Sequence, residues 1–255
     1  MNIVEFESWV YRNYSIDLSA YKPNQLHRRI SSLMSRLGLK DYLEYTKLLE
    51  KNDSQKQRFL DFITINVTEF FRNPELYLEL ESILKDELLV KKAGLRAWSA
   101  ACSIGAEPYS MAIILDKISP GANHMIMATD IDETILKRGK AGVYFNHEVK
   151  SLKEEYINKY FKLEGDKYVI APKLKAMVNF TKHDLIHDKY PQSLDLIVCR
   201  NVVIYFNTQT KDDIYKRFYD SLKPGGILFV GATESVYNYR ELGFSKASSF
   251  IYRKI

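Results

Sequence analysis

From residue 95 onward, apolar strand-like runs alternate with helix-patterned stretches, and this alternation restricts the fold more than any other feature of the chain. LRAWSAAC reads as a strand and EPYSMAIILDKI as a helix with Pro108 in its first turn. HMIMATD reads as a second strand, and DETILKRGKAG as the helix after it. VNFTKHDL and LDLIVCRN supply a third and a fourth strand, Thr208 to Leu222 a helix, and GGILFVGA a fifth strand. The tail FSKASSFIYRKI has room for two more. Alternation of this kind predicts a mostly parallel sheet with helices on both faces. Between the second and third strands lies an extra piece, about residues 143–178. Its YFKLEGDKYVI has two β-rich arms around Glu-Gly-Asp and predicts a hairpin within a small inserted β-subdomain.

The first 66 residues follow a different period. Leu26, Ile30, Leu33 and Leu37 form one apolar stripe at helical spacing, with Pro23 in the first turn and Gly38 at the stop. Tyr42 to Glu50 and Gln55 to Ile65 continue the helical pattern. The expectation is an all-α domain over 1–66, then an α/β domain over 67–255. Asn66 to Arg72 forms the junction, and Asn73-Pro74-Glu75 reads as a helix start. A hydrophobic fraction of 46% with 27% charged residues is that of a folded globular chain, and no run has the length of a membrane span. The N-terminus carries acids where a signal peptide has bases. Cys102 and Cys199 both sit in apolar runs, so a reduced cytoplasmic protein is expected.

The net charge is +5, and Lys22 to Lys40 alone holds Lys22, Arg28, Arg29, Arg36 and Lys40 with no acid, so the rest of the chain sums to zero. The surplus is a local feature of the N-terminal part.

In doubly wound sheets ligands bind outside the carboxyl ends of the strands, at the switch point. Strand one ends in AACSIGAEPYS, which matches neither the dinucleotide glycine pattern nor the phosphate loop. Glu107 stands where a pyrophosphate would otherwise sit, and a carboxylate there attracts a cation or complements the helix dipole. Strand two ends at Asp130, placed to accept hydrogen bonds from both ribose hydroxyls of an adenosine; Asp132 is free to cap the next helix instead. At the end of strand three, Asp184 is placed to meet an adenine amino group beside the Leu185 backbone. His183 and His187 are four apart but fall on a strand end and loop, so no metal is expected. Arg200 and Asn201 emerge at the end of strand four, followed by the aromatic pair Tyr205-Phe206. Pro224-Gly225-Gly226 makes a tight entry into the fifth strand, as is typical of methyltransferases that use S-adenosylmethionine.

Taken in order, INVTEFFR, AACSIGAEPYSMA, ATDID, KAGVY, HDL, CRNVVIYF and LKPGGILFVGATES resemble the CheR-type chemoreceptor glutamate methyltransferases of bacterial chemotaxis. The helical N-terminal segment fits that family too, so the resemblance covers nearly the whole chain. It implies a small all-α N-terminal domain, a Rossmann-like class I methyltransferase domain with a mostly parallel seven-stranded sheet, and the inserted antiparallel β-subdomain. The cofactor implied is S-adenosylmethionine, without a metal. The resemblance further implies that Asn66, Thr68 and Arg72 contact the cofactor, that Glu107 lies near its methionine amino end, and that Asp130 binds its ribose. Asp184 and Leu185 would border the adenine, and Arg200 and Asn201 would close the pocket. Arg72 and Tyr205 are the residues implied to place the acceptor carboxylate. The partner implied is the cytoplasmic methylation helix of a chemoreceptor, and a monomer is assumed. Some members dock a receptor-tail peptide on the inserted hairpin, and the arm KLEGDKYVIAPKL here is shorter.

The chemistry agrees with this residue inventory. An acceptor glutamate, with a reference pKa of ~4.3, is ionised at neutral pH, so no general base is required and no catalytic triad is expected. A dry wall from Phe70, Phe71, Tyr205 and Phe206 would favour a step in which cation and anion neutralise each other. Arg29 and Arg36, with Arg28 further round the helix, form a basic flank on which a glutamate-rich receptor helix could lie. A nucleic-acid methyltransferase would carry [DN]-P-P-[YF] where Arg200-Asn201-Val202-Val203 stands. Methylation of another protein or of a small carboxylate, and a binding module without turnover, are the remaining alternatives.

Overall fold

The computed structural model describes residues 1–64, 67–89 and 94–255. They form two compact units: residues 1–64 with Tyr205–Asp213, and Val67–Ile204 with Ile214–Ile255.

The first unit is helical. Its helix α1 (Ile3–Tyr14) opens with a capping box, in which the Glu5 N–H donates to Asn2 Oδ1 and the Asn2 N–H to Glu5 Oε2, both at 2.9 Å. Helices α2 (Pro23–Arg36), α3 (Tyr42–Lys51) and α4 (Asp53–Thr64) follow. Phe6 of α1 is fully buried, with the rings of Tyr42, Tyr45 and Phe59 around it at 5.1–6.0 Å. The apolar stripe of α2 is Leu26, Ile30, Leu33 and Met34. The expected fourth member, Leu37, is the cap residue and only partly buried, because the helix ends one residue before it. Residues 205–213 add to this unit: the Lys22 N–H donates to the Tyr205 carbonyl at 2.9 Å, the Asn207 N–H to the Ala20 carbonyl at 2.9 Å, and the Phe206 ring meets Tyr21 edge-on at 5.0 Å.

The second unit is a Rossmann-like α/β fold. Its strands are β1 (Arg96–Ala100), β2 (Met125–Asp130), β6 (Val178–Lys182), β7 (Leu194–Cys199), β8 (Leu222–Val230), β9 (Phe244–Lys246) and β10 (Ile251–Lys254). Among the described residues they form one seven-stranded sheet in the order β6-β2-β1-β7-β8-β10-β9, in which only the pairs made by β10 are antiparallel. The strand order reverses between β1 and β7, so the ligand-binding edge of such a sheet lies at the ends of those two strands.

Helix α5 (Pro74–Ile83) precedes β1, α6 (Ala106–Ile118) links β1 to β2, α7 (Glu133–Ala141) follows β2, and α11 (Thr208–Ser221) leads into β8. Every residue of α6 from Ala106 to Asp116 is buried, as its nearly all-round apolar sequence requires. The expected tight turn at Pro224-Gly225-Gly226 is a bulge inside β8: Leu194 and Leu196 of β7 pair with Leu222 and Ile227, which leaves the intervening residues looped out.

The insertion is a three-stranded antiparallel sheet, β3 (Val143–Phe145), β5 (Lys167–Ile170) and β4 (Phe161–Glu164), with the short helices α8 (Asn146–Val149), α9 (Glu154–Tyr160) and α10 (Pro172–Met177) around it. The β4–β5 hairpin turns at Gly165, where φ is 64°. Tyr144 anchors β3 by donating from its hydroxyl to the Ile104 carbonyl at 2.9 Å. Among the described residues no helix is long and apolar enough to cross a membrane.

Candidate active site

The segment after β1 turns tightly. Ala101, Ser103 and Gly105 have φ of 62°, 49° and 88°. Left-handed backbone costs a non-glycine residue about 1 kcal/mol or more, so this geometry persists only where its surroundings enforce it. At Gly105 a Cβ would also lie 3.0 Å from the Phe180 ring and 3.1 Å from Gly139 Cα, so the position needs glycine twice over.

Part of the enforcement comes from Asp130. Its Oδ2 accepts from the Ser103 N–H at 2.9 Å and its Oδ1 from the Asp132 N–H at 3.1 Å, joining the first two strand-end loops. The side chain is 6% exposed, and burial pushes its carboxyl up to about 6 against the pull of those N–H groups. The carboxylate's four acceptor sites are not all taken by these N–H groups. Asp132, not Asp130, caps α7, accepting from the Thr134 and Ile135 N–H groups.

Glu107, in the first turn of α6, is 8% exposed. Burial raises its carboxyl to about 7, opposed first by the Ser99 hydroxyl, which donates to Oε1 at 2.7 Å, and then by the Arg200 cation. The neighbouring Cys102 thiol is pushed well up by burial, with Asp130 and Glu107 adding to the effect.

The Thr68–Arg72 segment is pinned to this unit at three points. The Phe71 N–H donates to Ser110 Oγ (3.0 Å), Ser151 Oγ to the Phe70 carbonyl (3.2 Å), and Arg200 Nη1 to the Arg72 carbonyl (2.6 Å). Phe71 and Asn73 are left-handed, at φ 50° and 60°. Phe70 is core, edge-on to Tyr144 and Phe161, whereas Phe71 stacks on Tyr156 beside a cleft. Asn73 occupies the expected cap position of α5 but makes no side-chain cap, because its Oδ1 accepts from Arg200 Nη2 at 2.8 Å. Arg72 and Thr68 are half-buried, and Arg72 Nη1 donates to the Val67 carbonyl at 3.2 Å. Asn66 lies outside the described residues.

Arg200 is buried between the rings of Tyr77 and Phe229, and both its Nη atoms serve the 72–73 backbone turn and Asn73. Only Nε is left without a partner among the described residues. It acts as a clamp more than as a pocket wall. Asn201, at φ 61°, donates its N–H to Glu234 Oε2 at 2.8 Å, while its buried Oδ1 has no partner among the described residues. Ser103 Oγ is orphaned in the same way. Buried polar atoms without partners are uncommon, and those at the β1 and β7 ends suit a polar ligand. Asp184 and Leu185 follow β6, with Asp184 Oδ1 accepting from the Ile186 N–H at 2.7 Å.

Tyr205 falls in the helical unit, where it lines a pocket with Tyr21, Gln25 and Arg29. The basic flank of α2 differs from expectation. Arg28 and Arg36 are exposed, but Arg29 turns inward: it donates to the Phe62 carbonyl and lies 4.6 Å over the Phe62 ring. Burial lowers the Arg29 pKa, and the carbonyl and the aromatic face offset part of that lost solvation.

Two features escaped sequence reasoning. Ser99 points at Glu107 from within an apolar strand. Glu234 is a buried carboxylate that accepts from the N–H groups of Gly231 (2.6 Å), Asn201 (2.8 Å) and Val202 (3.1 Å), tying the β7 and β8 ends together. A Cβ on Gly231 would sit 2.6 Å from Glu234 Oε2, so a glycine three residues before an acid was the available signal. Among the described residues no group of His, Cys, Asp or Glu is arranged to hold a metal.

The arrangement can bind a cation against two buried carboxylates and receive hydroxyl groups at Asp130. Comparison with known proteins gives a consistent result. Residues 66–251 match the family described as CheR methyltransferase, SAM binding domain, and residues 1–64 match CheR methyltransferase, all-alpha domain. A chemotaxis protein methyltransferase of Listeria monocytogenes is 40% identical over 251 residues, covering 98% of this chain and 95% of the relative. One from Borreliella burgdorferi is 33% identical, covering 94% and 90%. One from Escherichia coli is 32% identical, covering 95% and 87%.

Proposed function

Because this chain belongs to the CheR methyltransferase family, whose members depend on S-adenosylmethionine, we propose that it methylates glutamate side-chain carboxylates of bacterial chemoreceptors in the cytoplasm, giving glutamate methyl esters. What supports the reading is one feature: buried polar groups gather on the loops that follow β1, β2 and β7, with the carboxylates of Glu107 and Asp130 on the first two and the orphaned Ser103 Oγ and Asn201 Oδ1 after β1 and β7, the strands between which the sheet order reverses.

In this reading Glu107 faces the cofactor's cationic methionine end, Asp130 takes the ribose hydroxyls, Asp184 and Leu185 border the base, and Asn201 and Thr68 complete the pocket. The bound group supplies a methyl carried on a positively charged sulfur, which an anionic oxygen displaces without any proton changing hands. The chain therefore needs no base. Arg72 offers the acceptor carboxylate a planar fork of donors, and Phe71 excludes water. Alignment of this kind supplies several kcal/mol of the barrier reduction. Arg28 and Arg36, exposed on α2, face the acidic receptor helix.

Incubation with methyl-labelled S-adenosylmethionine and receptor-containing membranes should label the receptor band, and mild base should release the label as methanol. Label that survives base would overturn carboxyl methylation. Asp130→Ala should abolish S-adenosylhomocysteine binding in calorimetry; wild-type affinity in that variant removes the ribose assignment.

A further inference from the structure

The turn after β6 is folded around one side chain. Arg217 of α11 donates from Nη1 to the carbonyls of Leu185 (2.9 Å) and Ile186 (2.7 Å), and from Nη2 to the carbonyl of Asp188. Its guanidinium lies 3.8 Å over the centre of the Tyr190 ring. The Tyr190 hydroxyl donates to the same Leu185 carbonyl at 2.8 Å, and its ring is held against Trp98 of β1 and Phe218 of α11. Three carbonyls of one short turn thus converge on a single cation. Carbonyl dipoles aimed at one point repel each other, and the planar fork that receives them offsets that repulsion.

The N–H side of the turn is equally defined. Asp184 donates to Asp188 Oδ2 at 2.8 Å, Ile186 to Asp184 Oδ1 at 2.7 Å, and Asp188 to the Asp184 carbonyl at 3.0 Å. Neither the Leu185 N–H nor Asp184 Oδ2 takes part in these bonds. One donor beside one acceptor complements the edge of an aminopyrimidine ring, where a nitrogen that accepts adjoins an amine that donates. A 6-oxo purine presents the reverse order and would leave both protein groups unpaired, a mismatch that rejects ligands far more strongly than a lost apolar contact.

We propose that Arg217 and Tyr190 are positioning residues that set base selectivity, by holding the 184–188 turn in the one register that reads a 6-amino purine. The proposal rests on the reading of that turn as the adenine border.

Calorimetry with S-adenosylhomocysteine and its 6-oxo (inosine) analogue tests it on the full chain. The wild type should favour the amino form by about tenfold or more. Arg217→Lys keeps the charge and loses the fork; it should weaken binding of the amino form about tenfold and shrink the ratio between the two ligands, and in turnover the loss should fall on KM more than on kcat. Tyr190→Phe, which removes one hydroxyl only, should shift the ratio in the same direction by less. Both variants unfolding like wild type yet keeping its ratio would overturn the clamp while leaving the adenine border intact. A wild type that does not discriminate, or an Asp184→Ala variant that keeps full discrimination, overturns the adenine reading and the clamp with it.

Discussion

Glu107 and Asp130 carry the residue-scale consequences. Both carboxyls are raised by burial, to about 7 and about 6, from reference values of 4.5 and 3.8. A raised carboxyl means that the folded chain binds a proton which the unfolded chain has already released. Stability therefore falls as pH rises, beginning near the unfolded values and ending once the folded groups have ionised, at about 7. Each pH unit by which folding raises a carboxyl corresponds to about 1.4 kcal/mol, so the ligand-free protein should be less stable at pH 8 than at pH 5 by a few kcal/mol from these two groups. Glu234, also raised by burial, adds in the same sense. Urea unfolding at the two pH values measures the difference, and Glu107→Gln should reduce it. An unchanged pH dependence in that variant would show that Glu107 is ionised throughout. Asp130 and Asp132 also show what sequence resolves at this scale: two acids near one helix start offer two caps, and spacing alone leaves the choice open. The Thr134 and Ile135 N–H groups go to Asp132, which frees Asp130 to brace two loops.

At the scale of elements, most strands and helices were legible, because period-2 and period-3.6 patterns arise from local geometry. The departures occur where a distant partner competes. Asn73 reads as a helix cap but serves Arg200, 127 residues away. Arg29 reads as part of an exposed flank, yet Phe62 from α4 draws it in. The basic surface of α2 is consequently Arg28 and Arg36, about 12 Å apart along the axis at 1.5 Å per residue. Reversing both to glutamate should slow receptor methylation several-fold at low salt, with the deficit shrinking as salt screens the contact. Initial rates across a salt series test this, and equal rates at low salt would make α2 a merely solvated face.

Over the whole molecule, the boundary expected at residue 66 is not a simple cut through the chain. Residues 205–213, more than a hundred positions later, cluster with the N-terminal helices, and Phe206 is buried there against Tyr21. Phe206→Ala should destabilise the helical unit by about 3 kcal/mol, the usual cost of emptying a buried aromatic site. Hydrogen exchange in α1 to α4 would report it, and unchanged protection would mean that the 205–213 segment contributes nothing to that unit. A fragment ending at residue 66 should lose protection for the same reason.

What the sequence determined on its own was the set of elements, the sheet-and-helix architecture and the acids, Arg200 and Asn201 expected at the strand ends. Those follow from periodicity and from how β-α connections must run. Tertiary structure alone decided how those residues are used. Arg200 and Arg217 became clamps on backbone carbonyls, Glu234 an acceptor for three N–H groups, and Arg29 an inward contact. Each outcome depends on donors and acceptors brought together across tens of residues, and a buried polar group takes whichever partner the fold presents, since leaving it unpaired costs more than any local preference returns.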